Sequence, residues 1–282
     1  MATAAELEKI AWEIRLALID MFAWGKAHHF GGSLSCAEII AALYFYKMNY
    51  SAEKRSDPSR DRFIMSKGHC VPTQYVALAR LGVLPAEELK TIKQLGTRLQ
   101  GHPDVRKTPG IEACTGSLGQ GLSFANGVAL AGRLDGLRFN VFVVVGDGEL
   151  QEGQVWEAAM TTAHYHLGNV CLIIDRNHYQ SQGEVDVLKR IEPLEERWRA
   201  FGWRPVRVNG HDPMALCQAL DQVEPKATQP LVIIAETVKG KGMCFLEGSY
   251  VGHNASITEA QYLEARDDIL AKLQELESSH GA

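Results

Sequence analysis

Two unbroken apolar runs with a helix-like stretch between them form the clearest pattern in the chain. Residues 141–145 and 170–174 are apolar and mostly β-branched, as is typical of strands in a parallel sheet that is covered on both faces. Between them, apolar residues of the stretch 152–167 recur at helical spacing, and Gly168 follows where a helix would end. The pattern predicts a β-α-β unit with parallel strands and a right-handed crossover.

Polar residues follow both predicted strands. Asp147 comes just after the first strand, between Gly146 and Gly148, and Asn177 follows the second. Because open α/β sheets bind ligands at the carboxyl ends of their strands, these two oxygen donors are expected to converge there. Mg2+ commonly takes one or two protein oxygens and completes its shell with water and phosphate oxygens. The pair therefore predicts a phosphorylated ligand, which the glycine backbone can approach closely.

Helices and strands alternate along the remainder of the chain. Apolar patterning predicts helices over residues 4–24, 73–82, 86–94, 213–223 and 258–278. Short apolar runs predict further strands over residues 62–65, 204–208 and 231–235. Together, these elements predict an α/β fold with a central, mainly parallel sheet and helices on both faces, in a single domain of residues 1–282.

Two stretches between these elements carry additional expectations. Ser35 precedes another predicted helix, and Glu38, three residues later, completes a capping box. Residues 100–119 are irregular and rich in Gly, Pro and Thr, and long loops of this kind in a compact domain are usually functional or disordered. We expect a functional loop here, followed by a helix of small residues over 124–132 that suits close packing against the sheet or a second subunit.

Composition excludes several classes of protein. With 282 residues, 46% of them hydrophobic, the chain can bury one large core. A net charge of −5 without a basic stripe argues against nucleic acid as a partner. The absence of a long apolar run and of a secretory signal predicts a cytoplasmic protein without a membrane span. The six scattered cysteines fit reduced, mostly buried thiols better than zinc ligands or disulfides.

Several motifs, in consistent order, complete a family resemblance. The Gly146-Asp147-Gly148 turn with Asn177 resembles the thiamine diphosphate motif. The surrounding segments resemble those of the transketolase family, in the family's order from roughly residue 10 to residue 255: Ala27–Ser33, Ser66–His69, Gly101–Pro103, Thr115–Gly121, and Lys239–Gly242 ahead of His253.

The resemblance implies a transferase that uses thiamine diphosphate and Mg2+. Such an enzyme moves a two-carbon ketol unit from a ketose, or ketose phosphate, to an aldose or aldose phosphate. The implied fold is the thiamine-diphosphate-binding α/β fold, which agrees with the elements predicted from the apolar pattern.

The resemblance also assigns residues to the cofactor. Asp147, Asn177 and the backbone carbonyl of Tyr179 would hold Mg2+ against the diphosphate, and the N–H group of Gly148 would donate to the diphosphate. Leu118 and Gly116 would contact the ring portion. The complete set of predicted cofactor contacts is His69, Gly116, Leu118, Gly146, Asp147, Gly148, Glu149, Asn177 and His253.

Histidines in glycine-containing loops are the predicted catalytic groups. Imidazole can donate to phosphate or hydroxyl oxygens and can carry protons near neutral pH. The resemblance places His69 and His253 near the diphosphate, and His29 and His102 against the substrate's hydroxyls and reaction-centre oxygen. The remaining histidines to which we assign ordinary structural or surface roles are His164, His166, His178, His211 and His280.

The length of the chain predicts a partner. Single-chain transketolases are more than twice as long and carry the diphosphate-binding and pyrimidine-binding sites on different domains. We therefore expect a second chain with the pyrimidine-binding and C-terminal domains, in an α2β2 assembly. Glu152 and Glu157 resemble family positions at the subunit junction, although acidic residues in the first turns of a helix are equally well explained by its dipole.

Two other functions fit the same diphosphate motif. The α subunit of a thiamine-diphosphate-dependent 2-oxo acid dehydrogenase also combines Gly-Asp-Gly with Asn on a separate chain, but the histidine loops do not match that class. A cofactor-binding module without catalysis of its own is the third possibility. The presence or absence of a partner chain distinguishes this module from the split enzyme.

Overall fold

A parallel sheet of five strands forms the centre of the computed structural model, which describes residues 2–22 and 28–280. The strands of the described chain are β1 (Arg62–Met65), β2 (Val141–Gly146), β3 (Val170–Arg176), β4 (Tyr179–Gln180), β5 (Gly183–Glu184), β6 (Arg204–Asn209) and β7 (Leu231–Glu236). The sheet has the order β1-β2-β3-β7-β6, and every neighbouring pair is parallel. The short strands β4 and β5 form an antiparallel pair outside it. The predicted parallel sheet is confirmed.

Helices cover both faces of this sheet. They are α1 (Ala4–Phe22), α2 (Phe30–Ser35), α3 (Ala37–Ala42), α4 (Val71–Arg80), α5 (Gln120–Leu134), α6 (Gly153–His164), α7 (Val185–Lys189), α8 (Leu194–Ala200), α9 (Pro213–Leu220) and α10 (Glu259–His280). Within the described residues, each helix is too short or too polar to cross a membrane.

Alternate residues of the strands pack into two separate apolar layers. On β2, Phe142 and Val144 face one layer, which contains residues of α1, α3, α4 and α9. Val143 and Val145 face the other layer, with residues of α5, α6 and α8. Successive side chains of a strand point to opposite faces, so an unbroken apolar run is the sequence of a strand that is covered on both sides. The sequence pattern of β2 and β3 is explained in this way.

The β-α-β unit forms as predicted. The strands β2 and β3 pair in parallel from Val141 opposite Val170 to Gly146 opposite Asp175, and α6 connects them. A 3-10 turn over Gly148–Gln151 precedes α6, so the polypeptide turns sharply between Asp147 and the helix. This geometry places Asp147 and the residues after β3 at the same edge of the sheet.

Some local predictions are wrong or only approximate. Residues 86–94 contain a 3-10 turn over Ala86–Thr91 rather than an α-helix. Helix α1 is described to Phe22, and the predicted end at residue 24 and Ala27 of the first histidine segment lie outside the described residues. The other predicted helices and strands are found with boundaries shifted by up to four residues, the largest shift being at the start of α5.

The predicted capping box at Ser35 and Glu38 is also wrong. Ser35 is the last residue of α2, and its hydroxyl donates to the Asp175 carboxylate over 2.6 Å. The Glu38 carboxylate instead accepts two hydrogen bonds from the fully buried guanidinium of Arg15, at 2.8 and 2.6 Å. Both side chains therefore bond to buried partners that are distant in the sequence, and these bonds are made in place of the local capping bonds.

Candidate active site

A cavity of about 250 Å³ opens at the carboxyl ends of β2 and β3. Asp147, which follows β2, lies on its wall together with Asn177 and Tyr179, which follow β3. The oxygen donors that the sequence placed at two strand ends thus converge on one cavity. In the described residues no group of three or more His, Cys, Asp and Glu side chains is arranged around a common metal position, so a cation here would need amide or carbonyl oxygens as well.

Protein donors already occupy much of the Asp147 carboxylate. Oδ1 accepts the N–H group of Gly148 over 2.7 Å, while Oδ2 accepts the N–H group of His178 over 2.6 Å and Nη1 of Arg176 over 3.0 Å. Burial raises the pKa of Asp147, and the guanidinium of Arg176 opposes that effect. The Gly148 N–H group, which we predicted to contact the diphosphate, therefore donates to Asp147 in this structure.

A buried hydrogen-bond network fixes the orientation of Asn177. Its Nδ2 donates to Oδ2 of Asp175 over 2.7 Å, so the amide oxygen is directed away from that carboxylate. Lys67 donates to the same oxygen of Asp175 over 2.5 Å, and Thr237 donates to the other oxygen, also over 2.5 Å. Burial disfavours the ionised form of Asp175, but Lys67 and the hydroxyl donors hold its pKa below the usual value. The amide of Asn177 is consequently held in one orientation.

The backbone carbonyl of Tyr179 has a cationic partner. Nζ of Lys239 donates to it over 2.6 Å and lies 3.2 Å from Nδ1 of His253. Lys239 is buried, which lowers the pKa of its ammonium group to about 8. Our sequence reasoning assigned no role to Lys239 or Lys67, although both lie in motifs that it used. The sequence could have indicated their roles, because each lysine lies in a segment, Ser66–His69 or Lys239–Gly242, that resembles a family motif.

The Glu149 carboxylate ties together loops that form the cavity. Oε1 accepts the hydroxyl of Ser66 over 2.5 Å and the N–H group of Gly119 over 2.8 Å, and Oε2 accepts the N–H group of Gly146 over 3.2 Å. Burial raises the pKa of Glu149. Although Glu149 lies on the cavity wall as predicted, both of its oxygens hold the surrounding backbone in place.

The four predicted catalytic histidines lie together. The ring centre of His29 is 4.9 Å from that of His69, 5.5 Å from that of His253 and 6.1 Å from that of His102. His69 and His253 line the cavity, 5.0 Å apart, and His29 and His102 lie beside them. The roles predicted from the sequence, His69 and His253 at the diphosphate and His29 and His102 at the substrate, stay predictions.

Burial keeps these imidazoles uncharged. Together with a nearby cationic group, Lys93 for His29 and Lys239 for His253, burial lowers the pKa of His29 to about 4 and that of His253 to about 3. Burial likewise places the pKa of His69 well below its usual value and lowers that of His102. At neutral pH each ring therefore presents one hydrogen-bond donor and one acceptor.

The loop before α5 closes the cavity from another side. Leu118 lies on the cavity wall, whereas Gly116 packs against the ring of His102. A Cβ atom at Gly116 would lie 2.6 Å from Cδ2 of His102, and the φ angle of +133° there also favours glycine. Glycine at this position allows the loop to support His102.

The structure describes contacts for His211 and surroundings for the cysteines, to which we assigned ordinary roles. The ring of His211 lies 3.0 Å from Oε2 of Glu38 and accepts the N–H group of Val238 over 2.8 Å. All six cysteines are free thiols, and four of them are buried. Glu152 lies at the cavity and is exposed, as is Glu157 on α6.

The parallel sheet and the cavity at the carboxyl ends of its strands are those of a ligand-binding α/β protein. Open parallel α/β sheets bind ligands at the carboxyl ends of their strands, and here that edge carries oxygen donors, buried lysines and imidazoles. Residues 7–272 match the family described as "Transketolase, thiamine diphosphate binding domain".

Similar proteins agree with this match. The chain is 43% identical over 237 residues to the 6-deoxy-6-sulfo-D-fructose transketolase subunit SqwG of Clostridium sp. (strain MSTE9), covering 84% of this chain and 86% of that protein. It is 38% identical over 266 residues to an apulose-4-phosphate transketolase subunit from Phocaeicola vulgatus, covering 94% of each. The solved transketolase from Leishmania mexicana superposes with a TM-score of 0.82 at 28% identity, over 99% of this chain and 46% of that one.

The chain belongs to the transketolase family and contains its thiamine-diphosphate-binding domain. It is a transferase component, and the alternative of a 2-oxo acid dehydrogenase α subunit is wrong. The chain spans about half the length of the solved transketolases that it matches, at 46% of the Leishmania mexicana chain.

Proposed function

We propose that this chain is the N-terminal, diphosphate-binding subunit of a two-chain transketolase. The complete enzyme moves a two-carbon ketol unit from a ketose or ketose phosphate to an aldose or aldose phosphate. The observation that carries the proposal is the meeting of Asp147 and Asn177 with His69 and His253 on one cavity wall. The similarity to proteins named as transketolase subunits, over nearly their whole length, supports a two-chain enzyme.

The oxygen atoms at this site suit Mg2+. Oδ1 of Asp147 and Oδ1 of Asn177 each have one protein donor, the N–H group of Gly148 and that of Tyr179 respectively, and Oδ1 of Asn177 is turned away from Asp175. The carbonyl of Tyr179 already attracts a cation, the ammonium group of Lys239. Carboxylate, amide and carbonyl oxygens are the hard ligands that Mg2+ takes, with phosphate oxygens completing its shell. We infer that these three residues hold Mg2+.

The groups around these oxygens suit a diphosphate. Lys239, His69 and His253 supply N–H donors on the cavity wall, and Gly146 and Gly148 bring the backbone close to it. A Cβ atom at Gly148 would lie 2.9 Å from Cβ of Gln180, so a larger residue would disturb this wall. We infer that these residues bind the diphosphate of thiamine diphosphate, with Leu118 against its ring portion.

The histidines would act on the substrate. When bound, thiamine diphosphate supplies an electron sink for cleavage of the carbon–carbon bond beside a carbonyl group. Because their pKa values are lowered by burial, His29 and His102 are neutral and can donate to and accept from the substrate's hydroxyl and carbonyl oxygens. His69 and His253, which line the cavity, would bind the cofactor and shield it from water.

Three exposed apolar side chains on the neighbouring helices α5 and α6 are candidates for contact with a second chain. Phe124 and Leu134 on α5 and Met160 on α6 are 47%, 88% and 55% exposed. Apolar surface of this kind is typical of protein interfaces. We propose that a chain with the pyrimidine-binding and C-terminal domains covers it in an α2β2 assembly, with Glu152 and Glu157 near the junction. The single domain and the cytoplasmic location stay predictions.

Co-purification tests this function. The tagged chain is purified from the organism that encodes it, with Mg2+ and thiamine diphosphate present, and accompanying proteins are identified by mass spectrometry. We expect a stoichiometric partner with the missing domains, and a complex that transfers a ketol unit between sugars. A chain that is purified alone and binds cofactor without a partner would instead support the non-catalytic module.

A further inference from the structure

Arg176 is a buried cation between two residues of the proposed cofactor site. It is the last residue of β3, directly before Asn177, and is only 1% exposed. Its guanidinium donates through Nη1 to Asp147, through Nη2 to Asp186 and through Nε to Glu192. Each nitrogen of the guanidinium therefore contacts a carboxylate on a different part of the chain.

We propose that Arg176 is a positioning residue that holds the carboxylate of Asp147 with Oδ1 left to bind the divalent cation. The proposal rests on the proposed function, because it takes Asp147 as a metal ligand. Oδ2 of Asp147 accepts two hydrogen bonds, from Arg176 at 3.0 Å and from the N–H group of His178 at 2.6 Å. Among the described residues, Oδ1 accepts only the N–H group of Gly148. Protein donors thus hold Oδ2, and Oδ1 is the oxygen left for the cation.

A set of ion pairs and hydrogen bonds holds the guanidinium in turn. We call Arg176, Asp186, Glu192, Arg207, Glu236 and His178 the charge ring. Glu192 contacts both arginines, and Glu236 contacts Arg207 and the ring of His178. The contacts run from Arg176 through Glu192, Arg207 and Glu236 to His178. Arg176 and the N–H group of His178 both donate to Asp147, so both ends of this path meet at the same carboxylate.

The charge ring resolves an electrostatic conflict. A cation beside a metal ligand would by itself repel the metal ion. Asp186 and Glu192 surround the guanidinium with negative charge, which offsets this repulsion and leaves the orienting hydrogen bond to Asp147. A planar guanidinium can donate in several fixed directions at once, which a lysine ammonium cannot reproduce. Arginine therefore suits the arrangement better than lysine, which keeps the charge but not the geometry.

Metal binding to the Arg176→Met variant tests the proposal. Mn2+ is titrated into the complex of the full chain with thiamine diphosphate and the second chain, and free Mn2+ is measured by electron paramagnetic resonance. Loss of a partner that orients a metal ligand typically weakens metal binding by about 10–100-fold, and we expect a loss in this range. Because Arg176 would act through Asp147, kcat at saturating Mn2+ should change much less, and Arg176→Lys should restore part of the affinity.

A matched control separates position from general charge loss. Arg197 lies on α8 and donates to the backbone carbonyl of Glu192 over 3.2 Å. The Arg197→Gln variant should bind Mn2+ like the parent. A loss equal to that of Arg176→Met would show that removing any cation near this segment weakens binding, which would overturn the proposal.

A milder variant keeps the test informative if Arg176→Met does not fold. Asp186 is partly exposed and contacts the guanidinium without contributing to the wall of the cavity. The Asp186→Asn variant should weaken Mn2+ binding by less than about tenfold. Unchanged binding in this variant would overturn the proposal, whether or not Arg176→Met folds.

The Asp147→Asn variant separates this inference from the proposed metal site. If it binds Mn2+ as tightly as the parent, the metal assignment is wrong and the role of Arg176 is wrong with it. If it loses binding while Arg176→Met retains it, the metal site stands and only the positioning role is overturned.

Discussion

The two ends of the proposed site handle the same problem, burial of titratable groups, in opposite ways. At the strand ends, Asp147 and Asp175 are almost completely buried, and each is paired with a buried cation, Arg176 or Lys67. At the histidine end, burial lowers the pKa of every imidazole, so these groups stay neutral. Pairing suits a region that would hold a metal ion and diphosphate, and neutral imidazoles suit exchange of hydrogen bonds with a sugar.

The largest expected effect is at the paired end. Asp147→Asn removes the negative charge that we assign to Mg2+ while keeping an acceptor for the N–H group of His178. Because even the partners of metal ligands account for about 10–100-fold in affinity, we expect loss of the ligand charge to weaken metal-dependent cofactor binding by about 100-fold or more. Isothermal titration of Mg2+ and thiamine diphosphate into the two-chain complex measures it.

A matched carboxylate gives the control for this prediction. Asp135 is an exposed residue just past the end of α5, and Asp135→Asn should bind cofactor like the parent. Parent-like titration of Asp147→Asn would mean that the strand-end carboxylate does not hold the metal.

Breaking the other buried pair should destabilise the fold. Lys67 and Asp175 side chains are 2% and 0% exposed, and Lys67→Met leaves the carboxylate without its cation. Removal of one partner from a buried ion pair typically costs about 3–5 kcal/mol, which urea denaturation of the chain measures. Lys226→Met, on the surface, should change stability by less than about 0.5 kcal/mol. Equal stability of the two variants would contradict the importance of pairing at this end.

A pH titration tests the neutral end. The pKa values of His29 and His253 lie at about 4 and about 3 in the folded chain, against 6.5 for an ordinary histidine. Between these values the unfolded chain binds more protons, so stability should be full above pH 6.5 and should fall as the pH drops toward 4. Urea denaturation at several pH values between about 4.5 and 7 follows this loss.

Variants identify the source of this pH dependence. In the double variant His29→Asn and His253→Asn, the stability should depend less on pH. This variant lacks two imidazoles whose pKa values are lower in the folded chain than in the unfolded chain. His164→Asn, which alters an exposed histidine, should keep the slope of the parent. An unchanged slope in the double variant would show that the pKa values of these imidazoles are the same in the folded and unfolded states.

We expect the smallest effect from Glu157 on the exposed surface of α6, where a charged side chain is solvated and needs no partner. Glu157→Gln should change the stability of the isolated chain by less than about 0.5 kcal/mol, since surface substitutions usually fall within this range. If Glu157 lies at the subunit junction, the same variant should weaken association with the second chain, as measured by analytical ultracentrifugation. Unchanged association would leave Glu157 as an ordinary surface residue of α6.

Local sequence patterns were sufficient for the architecture of this protein. The apolar runs of β2 and β3 predicted buried parallel strands, because a strand that is covered on both faces needs apolar residues at every position. The positions of Asp147 and Asn177 directly after these strands predicted their convergence, because parallel strands end at the same edge of the sheet. Motif resemblance predicted the histidine cluster.

Only the tertiary structure decided which atoms of these residues remain available. The hydroxyl of Ser35 donates to Asp175, which is 140 residues away, and Lys239 contacts the carbonyl of Tyr179, 60 residues before it. The pairing of Arg176 with Asp147 across 29 residues is of the same kind. Sequence periodicity reports which face a residue occupies, whereas these contacts depend on how distant elements pack. The sequence by itself therefore determined where the site lies, and the folded chain decided how its charges are paired and which oxygens a cation can reach.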